Sequence, residues 1–348
     1  MIATDKDIQF LEALYQNRKP YHGELHDHAA TAGTSDGKCS LAFWREDMKR
    51  LKMDFAAILD HKQVRHMYQP EWEDGLFIGG TEPGGTLTNI EAEFPKFHYN
   101  MLVEGPAPLE ELLAEFPEYH FTGGKEGHFC YPKFTLERLN ELITALKAKG
   151  GFFVHPHPKQ KMISDNPLDF FFQEETGIEV FYNDNQSEYT SQNYKLWLAL
   201  LAAGKRIWAC AGGDYHHGPN TSALTTIYAE EKSNKAYLSH LREGDFICGP
   251  IGIRMAIGDT KMGGKCSFES KRLRFSVGDF HPHHIPEGHA FRVYLYDDQG
   301  FITSRTVDPH TTNYFAIDTK PCKFYRLEVH DYSQKVRVAI GNPIWNTD

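Results

Sequence analysis

No run of apolar residues in this 348-residue chain approaches the ~18–20 needed to cross a bilayer. A membrane-embedded protein is not expected. The opening Met1-Ile2-Ala3-Thr4-Asp5-Lys6-Asp7 lacks the basic start and apolar stretch of a secretory signal, so the expected location is cytoplasmic. Its six cysteines (Cys39, Cys130, Cys210, Cys248, Cys266 and Cys322) form no CxxC pair. That spacing argues against a zinc–thiolate site or a disulfide frame. Positive charge is also scarce: 37 basic against 47 acidic residues leave a net charge of −10. A nucleic-acid polymer or an anionic membrane surface is therefore not expected as a partner. An anionic substrate stays open, because bound divalent cations reverse the local field. Gly79-Gly80 and Gly84-Gly85 belong to neither GxGxxG nor GxxxxGK[ST] and read as turns around Glu82. The chain has no internal repeat and no low-complexity tract.

What the chain has is histidine, 19 of them, and carboxylates in company with it. His26-Asp27-His28 with Asp36, Asp60-His61, Glu82, His98, His155-Pro156-His157 and Gly212-Gly213-Asp214-Tyr215-His216-His217 spread donors over about 190 residues. Most of these segments end a short apolar run. Phe55–Leu59 precedes Asp60, Phe152–Val154 precedes His155, and Ile207–Cys210 precedes Asp214. A parallel barrel gathers side chains where its strands end, so such segments converge on one site.

Up to about residue 240, strands alternate with helices, which implies parallel pairing through right-handed crossovers. Leu41, Trp44, Met48 and Leu51 share a helical face behind Ser40. Thr135 opens a helix whose face is Leu136, Leu139, Leu142, Ile143 and Leu146, and Gly150 stops it. A helix over about 191–203 links strands 177–181 and 206–211. An open doubly wound sheet would draw donors from a few adjacent strands. Six or more contributing strand ends favour a closed barrel. Residues 106–134 lack clean periodicity and read as an insertion or lid. From about 249 the pattern becomes short alternating runs (273–277, 291–295, 325–329 and 336–340), an antiparallel module with the character of a small β-sandwich. The expected division is 1–248 and 249–348.

On a strand, His26 and His28 face one way, and a divalent ion takes both as neutral donors. Asp214 and His216 repeat that geometry, and a carboxylate such as Glu82 can bridge two ions. The nine donors His26, His28, Asp36, His61, Glu82, His98, His155, Asp214 and His216 exceed the needs of one tetrahedral zinc and suit two or three ions. Manganese, iron and zinc all accept such ligands. A hydroxide bridging two ions would attack phosphorus in line. Lys38, Lys62, Arg65 and Lys159, each within four residues of a donor, are candidates to grip the substrate, or else solvated surface cations. His157 and His217 are candidate acids for the leaving group, His157 the better because on a strand it shares the face of His155. His281, His283, His284 and His289 read as a loop cluster.

His26-Asp27-His28 with Ser35-Asp36-Gly37, Ile58-Leu59-Asp60-His61, Gly80-Thr81-Glu82, His98-Tyr99-Asn100-Met101-Leu102, Val154-His155-Pro156 and Gly213-Asp214-Tyr215-His216 together resemble, in order, the motifs of the polymerase and histidinol phosphatase (PHP) superfamily. The match spans roughly residues 20–220. Leu241–Pro250 and the closing Ala339–Trp345 resemble the carbaryl-hydrolase-like subgroup, in which a β-rich module follows the barrel. The resemblance implies an α/β fold with a distorted (β/α)7 TIM-like barrel and a trinuclear centre that hydrolyses phosphate esters. His26, His28, Glu82 and Asp214 would hold one ion. Asp36, His61 and His216 would hold a second, and Glu82, His98 and His155 a third. Glu24 stands where the family usually has Asp, and the gap from His28 to Asp36 is longer than usual.

The function expected is therefore metal-dependent hydrolysis of a phosphate ester of a small metabolite, in a chain that can form homo-oligomers. A carbamate or amide hydrolase using the same ions is the alternative; a cavity lined by Phe97, Tyr99 or Trp72 would favour it. A third reading is a non-catalytic carbohydrate- or partner-binding protein working through the β module.

Overall fold

Four helices open on a hydroxyl side chain that accepts the backbone N–H three residues on: Ser40 for Leu41–Leu51, Thr135 for Leu136–Ala148, Ser187 for Glu188–Ala202 and Ser233 for Asn234–Glu243. Thr4 and Asp7 form a reciprocal capping box on a further helix, Asp5–Tyr15. The computed structural model describes residues 2–88, 96–120, 131–158 and 173–347.

The fold is α/β. Strands Lys19–Asp27, Phe55–Ile58 and Phe77–Thr81 lie side by side in parallel, as do Phe152–His155, Gly177–Tyr182 and Trp208–Gly212. Strand Asn100–Val103 joins the two groups and runs against both neighbours. That reversal departs from a regular succession of parallel strand–helix units. The two outer strands of this set meet at their ends: His28 N donates to the Tyr215 carbonyl (3.0 Å), and Asp214 N donates to the His26 carbonyl (2.7 Å). The strand ends carrying His28 and Asp214 are thereby brought side by side.

On the other edge of Lys19–Asp27 the sheet continues antiparallel through Thr225–Ala229 and Phe246–Cys248 to Val336–Asn346, Phe324–Asp331, Phe291–Asp297 and Gly300–Val307. A second, four-stranded sheet contains Ile251–Ile257, Thr260–Lys261, Arg272–Phe280 and Asn313–Asp318. Ile253, Met255 and Phe275 of that sheet share one buried core with Val293, Leu327 and Val329 of the large one. Leu11 and Tyr15 of the first helix belong to the same core, and Asp7 pairs with Arg272 and Arg274. One sheet thus runs through the expected 248/249 boundary, and the N-terminal helix packs on the C-terminal strands.

Residues 106–120 differ from the expected insertion. Pro106–Glu115 is a helix whose Leu109, Leu112 and Leu113 are buried with Phe116 in the core beside Leu139 and Leu142. Pro106 and Pro108 in its first turn hide an ordinary i, i+3, i+4, i+7 apolar pattern. Of the rest of the expected 106–134 lid, 121–130 lies outside the described residues, and Lys133–Phe134 is a short strand paired with Gly84–Leu87.

The loop histidines of the C-terminal part meet the first strand. The His281 ring lies 5.4 Å from that of His22 and 5.7 Å from that of His284. Burial, with the neighbouring histidines, pushes His22 down to about 3 and His281 down to about 4, from 6.5. Both stay neutral when folded and gain protons on unfolding at mild acid. Their contribution to stability is thus complete above pH 6.5 and lost as the pH falls toward 4 and 3. The urea midpoint should drop between pH 7 and pH 4.5, and drop less in His281→Gln; an equal drop in both proteins would refute this origin.

Candidate metal centre

Glu82 lies just beyond the strand Phe77–Thr81, and its backbone N–H donates to the Leu59 carbonyl at 2.9 Å. The side chain is buried and ringed by imidazoles. One carboxylate oxygen, Oε2, lies 3.3 Å from His26 Nε2, 3.2 Å from His28 Nε2 and 3.4 Å from His61 Nδ1. The other, Oε1, lies 2.8 Å from His98 Nδ1 and 3.3 Å from His157 Nε2. Among the described residues three donor groups result, each with ligand atoms within 4.8 Å of one another: His26, His28, Glu82 and Asp214; His28, Asp36, His61 and His216; and Glu82, His98 and His157.

Hydrogen bonds to fixed acceptors set the ring orientations. His61 Nδ1 lies 2.8 Å from the Glu82 carbonyl, and His216 Nδ1 lies 2.8 Å from the Asp214 carbonyl. A carbonyl only accepts, so each Nδ1 carries a proton, and each Nε2 is left to face the centre, as a donor to a carboxylate when the ring is charged or as the ligating atom when it is neutral. Those Nε2 atoms sit 3.6 Å and 3.0 Å from the two oxygens of Asp36. His26 Nδ1 bonds Glu179 Oε1 at 2.7 Å, which leaves its Nε2 facing Glu82.

The electrostatics of the centre favour positive charge. Burial lowers the proton affinity of His28, yet the Asp214 and Glu82 carboxylates, each 3.2 Å from its Nε2, outweigh it and push the ring up to about 10. At His26 the carboxylates of Glu179, Glu82 and Asp214 likewise overcome burial, and its affinity rises. In the other direction, burial of Glu82 is outweighed by His98, His26 and His61, which hold its carboxyl well below the usual range. The carboxylates therefore draw cations: protons on the rings, or divalent ions between them. Buried His26 Nε2 and both ring nitrogens of His28 lack a well-directed hydrogen-bond partner among the described residues. Such inward-facing lone pairs, with mixed imidazole and carboxylate donors, fit divalent metal ions.

His155 lies outside the three groups and His157 stands within one, the reverse of the sequence expectation. The strand ends at His155, which shares a face with Phe153 and pairs with Ile178, both part of the core under Leu139 and Leu142. Its ring is 4.9 Å from that of Phe153, and burial pushes it down to about 3. Beyond Pro156 the chain turns through a left-handed His157 (φ 34°), so two-residue alternation no longer holds. Asp214 also lies past its strand, in a left-handed conformation (φ 53°), and Tyr182 donates to its Oδ2 at 2.8 Å.

Among the expected substrate-gripping cations, Lys38 lines a cleft of about 550 Å³ with Asp36, Asn183, Asp214, His216 and the exposed His217. Arg65 is exposed beside Gly33, in the loop that carries Asp36. Lys62 is buried, and Lys159 lies outside the described residues.

Sequence reasoning missed Glu179. Buried within an otherwise apolar strand, it accepts from His157 N at 2.8 Å as well as holding His26. A lone carboxylate in Gly177-Ile178-Glu179-Val180-Phe181 was the available signal. Gly212 makes room for it: a Cβ there would lie 2.1 Å from Glu179 Oε1 and 3.0 Å from His26 Cβ. Asp60, which opens a donor segment, serves the loop instead, accepting from Ala29 N at 2.9 Å and from the Thr31 hydroxyl.

A carboxylate that orients a ligating histidine typically contributes 10–100-fold to metal affinity. Glu179→Gln should therefore weaken divalent-ion binding by about 10–100-fold in a calorimetric titration. In the same assay His157→Ala should lose bound metal while His155→Ala keeps the wild-type stoichiometry; the opposite result would restore His155 as the ligand.

Neither a family model nor a curated protein matches this sequence. Solved structures with a partly similar course of chain include a candidate metal-dependent phosphoesterase from Bifidobacterium adolescentis (15% identity, 58% of this chain, 90% of that one, TM-score 0.37). A lesion-specific endonuclease Q from Pyrococcus furiosus is another (13% identity, 64% of this chain, 56% of that one, TM-score 0.42). An endonuclease Q complex with a 27-mer duplex carrying an abasic lesion at the active site is a third (12% identity, 64% and 57% coverage, TM-score 0.42). A phosphoesterase and an endonuclease are both hydrolases. At these values the likeness carries no activity across to this chain. The third structure holds a DNA duplex, which stands against the expectation of a small-molecule partner with nucleic acid excluded. A net charge of −10 does not by itself exclude such a partner, because the field at a metal centre is local.

Proposed function

We propose that the chain is a metal-dependent hydrolase of phosphate esters, a PHP-like protein of the subgroup with a C-terminal β module. The observation that carries this reading is the pair of oxygens of Glu82 shared among His26, His28, His61, His98 and His157. A carboxylate so placed suits two or three closely spaced ions of manganese, iron or zinc. In this reading the strands from Lys19–Asp27 to Trp208–Gly212 form a distorted seven-stranded barrel, and the chain divides near residue 248.

Divalent ions held there would lower the pKa of water and neutralise charge on the non-bridging phosphoryl oxygens. Asp214 and Asp36 hold the two neighbouring donor groups at the cleft. Tyr182 fixes the Asp214 carboxylate by its hydroxyl. Lys38, at the cleft wall, is placed to meet a phosphoryl oxygen that reaches in from solvent. His217 is exposed at the same wall, and its ring can deliver a proton to the departing oxygen. His157 is bound up with Glu82 and Glu179, so the acid role passes from it to His217.

The carbonyl-cleaving alternative needs an apolar cavity. Phe97 and Tyr99 are instead buried in the core with Phe134 and Phe153, and Trp72 packs at the edge of that core. The polar cleft supports the phosphate reading.

Manganese-loaded protein should turn over at least one of a phosphomonoester, a phosphodiester and an abasic DNA duplex. Asp214→Asn, which removes a charged ligand, should lose roughly 100-fold or more of that rate. Turnover of an aryl carbamate alone, or esterase activity indifferent to Asp214→Asn, would contradict the reading.

A further inference from the structure

Beside the metal cleft lies a second depression of about 470 Å³. The two abut across a pair of short loops. Asn183 lines the cleft and Asp184 the depression; Asn220 lines the cleft and Ser222 the depression. Both loops are braced. The Tyr215 hydroxyl donates to the Asn183 carbonyl at 2.5 Å, and Asn220 Oδ1 accepts from Ser222 N and Oγ at 3.0 and 2.9 Å. The far wall comes from the C-terminal part: His283, His284, Asp331 and Gln334. His284 is fixed there by donating to the Thr221 carbonyl at 2.7 Å.

The chemistry of this depression differs from that of the cleft. Asp184 supplies a half-buried carboxylate, and Asn185, Gln186, Gln334 and Ser222 supply amides and a hydroxyl, while Asp331 is buried and braces the wall by accepting from His289, Ser333 N and Gln334 N. Among the described residues, no lysine or arginine lines it. A phosphoryl group would be repelled from it. A neutral ring bearing several hydroxyls can instead donate to the Asp184 carboxylate and exchange hydrogen bonds with the amides. Its apolar edge can rest on Val336 and Val338, which are half-buried in the same wall.

We propose that this depression is a leaving-group subsite for a sugar ring, so that the C-terminal module selects the ester that the metal centre cleaves. The inference rests on the phosphoesterase reading for its place in catalysis, but sugar binding is measurable without turnover. His283 and Gln334 are exposed, so the double variant His283→Ala/Gln334→Ala should fold.

The test has two arms. Saturation-transfer NMR with ribose and with glucose reads binding directly. Steady-state kinetics with a sugar phosphate and with ethyl phosphate reads selection by the manganese-loaded enzyme. The proposal expects saturation transfer to at least one sugar, lost in the double variant. It also expects a preference for the sugar phosphate in kcat/KM of at least tenfold that collapses toward one in the variant. Sugar binding without turnover of either ester would uphold the site as a sugar site and overturn its role as a leaving-group subsite in phosphomonoester cleavage, while the phosphoesterase reading itself falls only if the diester and the duplex also go uncleaved. Turnover without saturation transfer, and with the same preference in both proteins, would overturn the subsite and leave the phosphoesterase reading standing.

Discussion

The carboxylate of Glu82 is withdrawn from water, and a buried charge is tolerated only where opposite charge and hydrogen bonds replace the lost solvent. His26, His28, His61, His98 and His157 supply that surround at 2.8 to 3.4 Å. They arrive from four separate stretches of chain, so the fold must bring those stretches to one place and hold them there. Strands Lys19–Asp27, Phe55–Ile58, Phe77–Thr81 and Phe152–His155 end near this carboxylate. The antiparallel strand Asn100–Val103 instead begins beside it, just after His98.

Around that centre lies a second set of contacts that leaves little freedom to the donors. Glu179 grips the ring of His26 and the backbone of His157 together. Its own position depends on the absence of a side chain at Gly212. Tyr182 fixes Asp214, and Tyr131 meets His98 Nε2 at 2.9 Å. Two of the carboxylates therefore work through other groups: Glu179 orients donors, and Asp60 pins the loop after His28. Composition alone cannot separate such supporting acids from ligands, since both are buried and both lie close to histidine.

Much of this was legible in the sequence, and the failures share a cause. Donors on regular strands, or at their first residue beyond, came out where alternation put them: His26 and His28 face one carboxylate, and Glu82 follows its strand directly. Capping residues were equally readable, as at Ser40 and Thr135. Alternation misled where the backbone leaves the strand. His157 reaches the centre through a left-handed turn after Pro156, while His155, still on the strand, is committed to the core with Phe153. Proline masked the helix Pro106–Glu115 in the same way, by replacing two residues of an otherwise periodic pattern. Glu179 was missed for a different reason: its partners are 153 and 22 residues away in sequence, and no local pattern marks that pairing.

The C-terminal strands continue the sheet that holds the donors, through Phe246–Cys248 and Val336–Asn346. The central claim is that one buried carboxylate unites neighbouring ions. Electron paramagnetic resonance of manganese-reconstituted protein tests it most directly, because ions about 3.5–4 Å apart couple their spins. The account predicts broad, exchange-coupled signals at full loading, giving way in Glu82→Gln to the hyperfine pattern of isolated ions. A spectrum of isolated ions in the fully loaded wild type would contradict it.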